Sequence, residues 1–299
     1  MVDEKQLYRT MYRIRRFEET VLDEFKRGVF SGTTHTYLGQ EANAVGVISH
    51  LQEQDVIVTN HRCHGHFLAY GGEMRALFAE LMGKATGVCA GRGGSQHLHW
   101  RNLYSNGVQG GIVPIAAGMA LAEKHKGSGA VTTVFIGDGT LGQGVVYESM
   151  NMASLWSLPL LVVLENNHIA QTTPTDLVLS GSIPARFEAF GVKASELDTS
   201  DVLLIRDAAE KILAEVRAAN RPQALILNTV RFAAHSKGDD TRDTAEVERL
   251  KVTRDPLNIS AERLAADELN DLQREIDNEV QTAFQTALID PLPSLEEAR

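Results

Sequence analysis

The stretch that most constrains the fold runs over residues 130–170. Residues 131–136 are an apolar, β-branched run of the kind that forms a strand buried on both faces. Gly137-Asp138-Gly139 breaks it with a turn that needs flexible backbone. Val145, Met152, Leu155 and Trp156 then fall at helical spacing, which predicts a helix with these four on one buried face, ended by Pro159. Residues 160–164 are a second apolar strand, followed by Glu165-Asn166-Asn167. Strand, helix and strand in this order predict parallel neighbours joined by a right-handed crossover. Asp138 and Asn167 then emerge at the carboxyl ends of adjacent strands, the edge at which open α/β sheets bind ligands.

A carboxylate and an amide oxygen converging there suit a hard divalent cation. Mg²⁺ takes octahedral oxygen ligands, few of them from protein and the rest from phosphates and water. The glycines let a diphosphate approach the backbone, and the N-terminus of the following helix favours its negative charge. Without the distal Asn-Asn, the same turn reads equally well as a tight connection carrying a solvated Asp.

With 43% hydrophobic and 23% charged residues, the chain has ordinary globular composition. A net charge of −10 argues against nucleic acid or an anionic membrane as partner. No apolar run reaches membrane-spanning length, and the N-terminus lacks a signal-peptide core. Cys63 and Cys89 are too few for a disulfide framework, which points to a reducing cytoplasm.

Leu7, Met11, Ile14, Phe17, Val21 and Phe25 predict an amphipathic docking helix whose Arg9, Arg13, Arg15 and Arg16 form a solvated basic face. Helices are also predicted over 43–51, 74–83, 116–125, 185–190, 202–218 and 264–288, and strands over 56–59, 191–198 and 224–230. Residues 60–66 hold His61, Arg62, Cys63, His64 and His66. A metal site is conceivable, but the fixed charge of Arg62 favours an anion, which Arg62 clamps and His64 contacts as a donor. The glycine-rich segment 84–97 reads as a long functional surface loop.

In order, the chain carries Leu38-Gly39-Gln40-Glu41-Ala42, His61-Arg62-Cys63-His64-Gly65, Gly93-Gly94-Ser95, Asn106-Gly107, Gly137-Asp138-Gly139 and Glu165-Asn166-Asn167. Over about residues 5–290 this resembles the alpha subunit of the thiamine-diphosphate-dependent component of 2-oxoacid dehydrogenase complexes, of the pyruvate and acetoin type. Transketolase is a weaker match, lacking the Gly-Gln-Glu-Ala and Glu-Asn-Asn forms. The resemblance implies a single α/β domain of the diphosphate-binding type, residues 1–245, with a mostly parallel sheet, helices on both faces and a helical C-terminal tail, 246–299. It also implies that Asp138, Asn167 and the Ile169 carbonyl bind Mg²⁺, that Arg62 and the neighbouring His61 hold the diphosphate, and that Gly137, Gly139 and Thr140 line the phosphate site. The Gly107 carbonyl and Gln109 amide would meet the aminopyrimidine, and His235 would stand near the thiazolium on a mobile loop, 232–244. His235 and His64 are thus the candidate catalytic histidines.

Such subunits need a beta subunit for the aminopyrimidine and its activating glutamate, which implies an α₂β₂ assembly, a lipoyl-carrier acyltransferase as acceptor, and a 2-oxoacid or acyloin substrate. The chain departs from the family pattern at His61 and Ile169, usually tyrosines, and at Ala234, usually glycine. The last change motivates a second reading, a non-oxidative carboligase on the same split scaffold. A non-catalytic cofactor-binding subunit is the third.

Overall fold

The computed structural model describes residues 3–30, 32–236 and 238–294; Lys237 of the 232–244 loop lies outside them. The first half of the chain forms α1 (Glu4–Phe25), α2 (Glu41–Ile48), β1 (Val56–Thr59), α3 (Cys63–Ala69), α4 (Met74–Leu81), β2 (His99–Trp100), β3 (Leu103–Ser105) and α5 (Ile112–Lys126). Then come β4 (Thr132–Gly137), α6 (Gly144–Leu155), β5 (Leu160–Asn166), β6 (Ile169–Ala170), β7 (Thr173–Pro174), α7 (Ile183–Glu188), β8 (Lys193–Asp198), α8 (Val202–Ala219) and β9 (Gln223–Asn228). Three helices close the chain: α9 (Thr244–Arg254), α10 (Pro256–Ala261) and α11 (Ala266–Ile289).

Seven strands form one sheet in the order β2-β3-β1-β4-β5-β9-β8. Every pairing in it is parallel except that of β2 with β3 at the edge. The central register pairs Thr132 with Leu160 and runs to Gly137 opposite Glu165; beyond it Asn166 faces Asn228. The carboxyl ends of β4, β5 and β9 therefore share one edge. β4 and β5 are apolar at nearly every position because the sheet is covered on both faces. Phe135, Leu161 and Val163 face a core built with α1, α2, α3, α4, α8 and α11. Val134, Ile136, Val162 and Leu164 face a second core under α5, α6 and α7.

Two sequence expectations require correction. In α6 the buried apolar residues are Val146, Met150 and Ala153, whereas Met152 and Leu155, and Trp156 at its end, are 42%, 74% and 42% exposed. The helix is apolar around most of its girth, so periodicity alone could not say which stripe faces this core. The basic face of α1 is not solvated either. Arg13 and Arg16 pair with Glu279 and Asp277 of α11 at 2.7 and 2.8 Å, and Arg9 pairs with Glu275. Arg15 is largely buried between Glu41 and Asp255, at 2.6 and 2.9 Å. Leu272, Ile276, Val280 and Phe284 of α11 join the first core, so this helix docks on α1 and α4.

Candidate active site

β4 ends at Gly137, and the chain turns through one short 3₁₀ helix, Asp138–Gly142, into α6. A Cβ added at Gly139 would lie 2.7 Å from the Ala170 Cβ, so this glycine is required by β6 passing behind the turn. At Gly137 an added Cβ meets nothing within 4 Å, because the residue borders a cavity of about 260 Å³ at the carboxyl edge of the sheet. Asp138 is 1% exposed and accepts a hydrogen bond from the Thr175 hydroxyl. Burial keeps its carboxyl above the usual range, with Thr175 and backbone amides opposing that in part. Asn167 follows β5. Its amide donates to Gln40 Oε1 at 3.2 Å, and its Oδ1 accepts from the Ile169 amide at 3.3 Å. Left-handed backbone at His168 (φ 62°) turns the chain so that Asn167 and Ile169 both border the cavity.

Across the cavity stand two arginines. Arg62 ends the loop after β1, is 4% exposed, and donates to the Thr36 carbonyl at 2.7 Å and to His235 Nδ1 at 3.1 Å. Arg231, three residues past β9, is 1% exposed and donates to the Gln171 carbonyl at 3.2 Å and to His235 Nδ1 at 3.4 Å. Among the described residues neither forms an ion pair with a carboxylate within 4 Å. Burial, aggravated by Arg231, lowers the Arg62 guanidinium to about 9; burial and Arg242 lower Arg231 to about 10. Two buried cations in one pocket without a paired carboxylate make an anion site.

His35 packs edge to face on His61 and His235 beside them, and His61 and His235 lie tilted to each other, with ring centroids 4.6–5.3 Å apart. Burial and Arg62 push His35 down to about 3 and His235 to about 4, and lower His61 as well. All three are therefore neutral near pH 7. A guanidinium can only donate, so Nδ1 of His235 is an acceptor and its proton sits on Nε2. Both nitrogens of His61, Oε1 of Gln109, Oε2 of Glu165 and Nε of Arg231 are buried without a protein partner, and all four residues border the cavity. Orphaned polar atoms gathered in one cavity are what a polar ligand would satisfy.

Most residues singled out in the sequence meet here: His61, Arg62, Gln109, Gly137, Asp138, Gly139, Thr140, Asn167, Ile169 and His235 all border the cavity. Gly107 stands outside it, its carbonyl accepting from Gln109 Nε2 at 3.0 Å. His64 is a correction. The chain enters α3 at Cys63, which rotates His64 into the core, where its Nδ1 contacts Glu18 at 3.1 Å and its Nε2 the Ser95 hydroxyl at 3.0 Å. It is fully buried, does not border the cavity, and cannot serve phosphate or substrate. His66 is likewise internal, held by Thr59 at 2.8 Å, so 61, 64 and 66 do not converge as metal ligands. The 84–97 segment is fixed by Glu80, whose two oxygens accept from the amides of Cys89, Gly91, Gly93 and Gly94. It thereby presents Ser95 to His64 and Gln96 to His35. Arg231, Glu165, Gln40, Thr175 and His35 were not foreseen. Only Arg231 carried a usable signal, a cation just after an apolar strand at the sheet's carboxyl edge.

Comparison with known proteins agrees with this geometry. Residues 9–296 match the family described as dehydrogenase E1 component. The chain is 38% identical to the pyruvate dehydrogenase E1 component subunit alpha of Zymomonas mobilis, covering 98% of this chain and 86% of that one. It is 35% identical to the subunit alpha of acetoin:2,6-dichlorophenolindophenol oxidoreductase of Cupriavidus necator, over 97% and 91%, and 34% identical to its Bacillus subtilis counterpart, over 98% and 92%. A full-length match, a parallel sheet with Gly-Asp-Gly and Asn-Asn at one edge, and a pocket of buried arginines together place this chain in the dehydrogenase E1 component family.

Proposed function

We propose that this chain is the alpha subunit of a thiamine-diphosphate- and Mg²⁺-dependent dehydrogenase that decarboxylates a 2-oxoacid or cleaves acetoin and passes the acyl group to a lipoyl carrier. The observation that carries this reading is the pair of buried guanidiniums, Arg62 and Arg231, facing the same cavity as Asp138 and Asn167. Cations on one side and oxygen donors on the other match a diphosphate bridged by a divalent ion.

In this reading Asp138, the Asn167 side chain and the Ile169 carbonyl hold the ion. Arg62 and Arg231, with the backbone of Gly139 and Thr140, take the phosphates. The Gly107 carbonyl and Gln109 meet the aminopyrimidine once Gln109 releases the bond it now makes to Gly107. The cofactor, when bound, supplies a carbanion nucleophile and an electron sink. His235 is held with its proton on Nε2 and neutral at working pH, so it donates to negative charge as it develops on the substrate oxygen. Catalysis further needs a beta subunit, in an α₂β₂ assembly, and an acyltransferase bearing the lipoyl group. Residues 1–245 form the cofactor domain and 246–299 a helical tail. Among the described residues no helix is long and apolar enough to cross a membrane, and we assign the enzyme to the cytoplasm.

Calorimetry with thiamine diphosphate and with unphosphorylated thiamine, each with and without Mg²⁺, tests this. Tight binding only of the diphosphate, and only with Mg²⁺, is expected. Equal binding of both ligands, or indifference to Mg²⁺, would refute the assignment.

A further inference from the structure

Glu165 ends the apolar run of β5, opposite Gly137 and two residues before Asn167. It is 2% exposed. One of its oxygens is saturated: Oε1 accepts from the Tyr37 hydroxyl and from Asn43 Nδ2 at 3.4 Å, and His66 Nε2 stands 3.6 Å away. Those partners are themselves fixed, Tyr37 to His66 at 3.2 Å and His66 to Thr59 at 2.8 Å. The other oxygen, Oε2, is buried without any hydrogen-bond donor, although the residue borders the cavity that holds Asp138 and Asn167. A carboxyl oxygen buried without a hydrogen-bond partner is costly unless something that fills the cavity supplies one. The hydrogen bonds of Arg62, a nearby cation, go to Thr36 and His235 and not to Glu165.

We propose that Glu165 is an outer carboxylate of the cation site, its Oε2 accepting a hydrogen bond from water carried by the divalent ion that Asp138 and Asn167 hold. Mg²⁺ keeps several waters when protein supplies few ligands, and those waters need acceptors. The buried Tyr37–His66–Asn43 cluster acts as the brace that aims the free oxygen. This inference rests on the cofactor reading above, and its test separates the two.

The experiment titrates Mg²⁺ into the enzyme assembled with its beta subunit, at fixed thiamine diphosphate, followed by calorimetry, and repeats it with Mn²⁺ by electron paramagnetic resonance. Glu165→Gln keeps an oxygen for Tyr37 but turns a donor toward the cavity. It should weaken both ions about 10–100-fold, the usual effect of losing an outer partner of a metal ligand, and leave the melting temperature of the metal-free protein unchanged. Tyr37→Phe removes that hydroxyl's bonds to Oε1 and to His66 but leaves Oε2 in place, and should weaken the ions less than about threefold, well under the effect expected for losing the outer acceptor itself. Should Glu165→Gln fail to fold, Glu165→Asp, which withdraws the same charge by one methylene, should show the loss instead. Wild-type metal affinity in the folded Glu165 variant overturns the proposal, as does Tyr37→Phe weakening the ions equally. If the wild type takes up no Mg²⁺, or Asp138→Ala takes it up normally, the cofactor reading is what fails.

Discussion

Replacing Arg62 by Met should make the cofactor-free chain more stable and the cofactor-loaded chain less stable than wild type. A buried guanidinium lowered from 12.5 to about 9 is disfavoured by roughly 5 kcal/mol in its charged form, at about 1.4 kcal/mol per pH unit. Methionine fills similar space without charge, as buried ionic groups can often be replaced. Against that gain stand the lost bonds to Thr36 and to His235, about 1 kcal/mol each, and an orphaned Thr36 carbonyl, about 2 kcal/mol. The balance is a stabilisation of about 1 kcal/mol, or on the order of 2 °C in Tm for a chain of this size. With ligand the order reverses. Arg62 is already desolvated, so two charge-assisted bonds to phosphate are worth about 3 kcal/mol, a factor of roughly 150 in Kd. At a ligand concentration 100 times the wild-type Kd, wild type gains about 2.7 kcal/mol and the variant about 0.3 kcal/mol. Thermal scans with and without Mg²⁺ and thiamine diphosphate read both effects. A variant that melts lower than wild type without ligand, and is shifted equally by it, would show that Arg62 is a structural residue.

Asp138→Ala should abolish Mg²⁺-dependent binding of thiamine diphosphate while preserving the fold, and calorimetry with unchanged affinity would reject Asp138 as the ion's ligand. In the assembled enzyme His235→Ala should lower turnover by about 10²–10⁴-fold with little change in cofactor Kd, and proteolysis within residues 232–244 should slow when cofactor and Mg²⁺ are added. Stability should rise with pH from about 4 to 6.5. In that window the unfolded chain protonates His35 and His235, while the folded chain, with these groups at about 3 and 4, does not. Melting curves across the window check this, and His235→Asn should flatten the slope. The chain purified alone should turn over no 2-oxoacid appreciably, and substantial activity without a beta subunit would refute the divided site.

Strand positions and the placement of Asp138 and Asn167 at the cavity were legible in the sequence because both depend on local order. An apolar run bounded by Gly-Asp-Gly, then by Glu-Asn-Asn, fixes where each strand stops, and parallel pairing brings those stops to one edge. Asp138 and Asn167 follow from that, whereas Ile169 came only through the family resemblance. Arg62 was legible because a fixed positive charge three residues past β1, among histidines, suits an anion better than a metal ion.

Other features needed the third dimension. Whether the stripe of Met152, Leu155 and Trp156 or that of Val146, Met150 and Ala153 faces the core depends on which element lies across from α6, and both are apolar. The arginines of α1 read as solvated until α11, some 260 residues later, arrives with the matching carboxylates. His64 and His61 differ by three positions, yet the first turn of α3 sends one into the core and leaves the other at the cavity. His35 reaches His61 and His235 from a loop before α2, a distance in sequence that no local pattern spans. Sequence periodicity determines which residues a strand or helix can bury. What they are buried against, and hence which charges lose their water and become ligands, is decided only when distant segments pack.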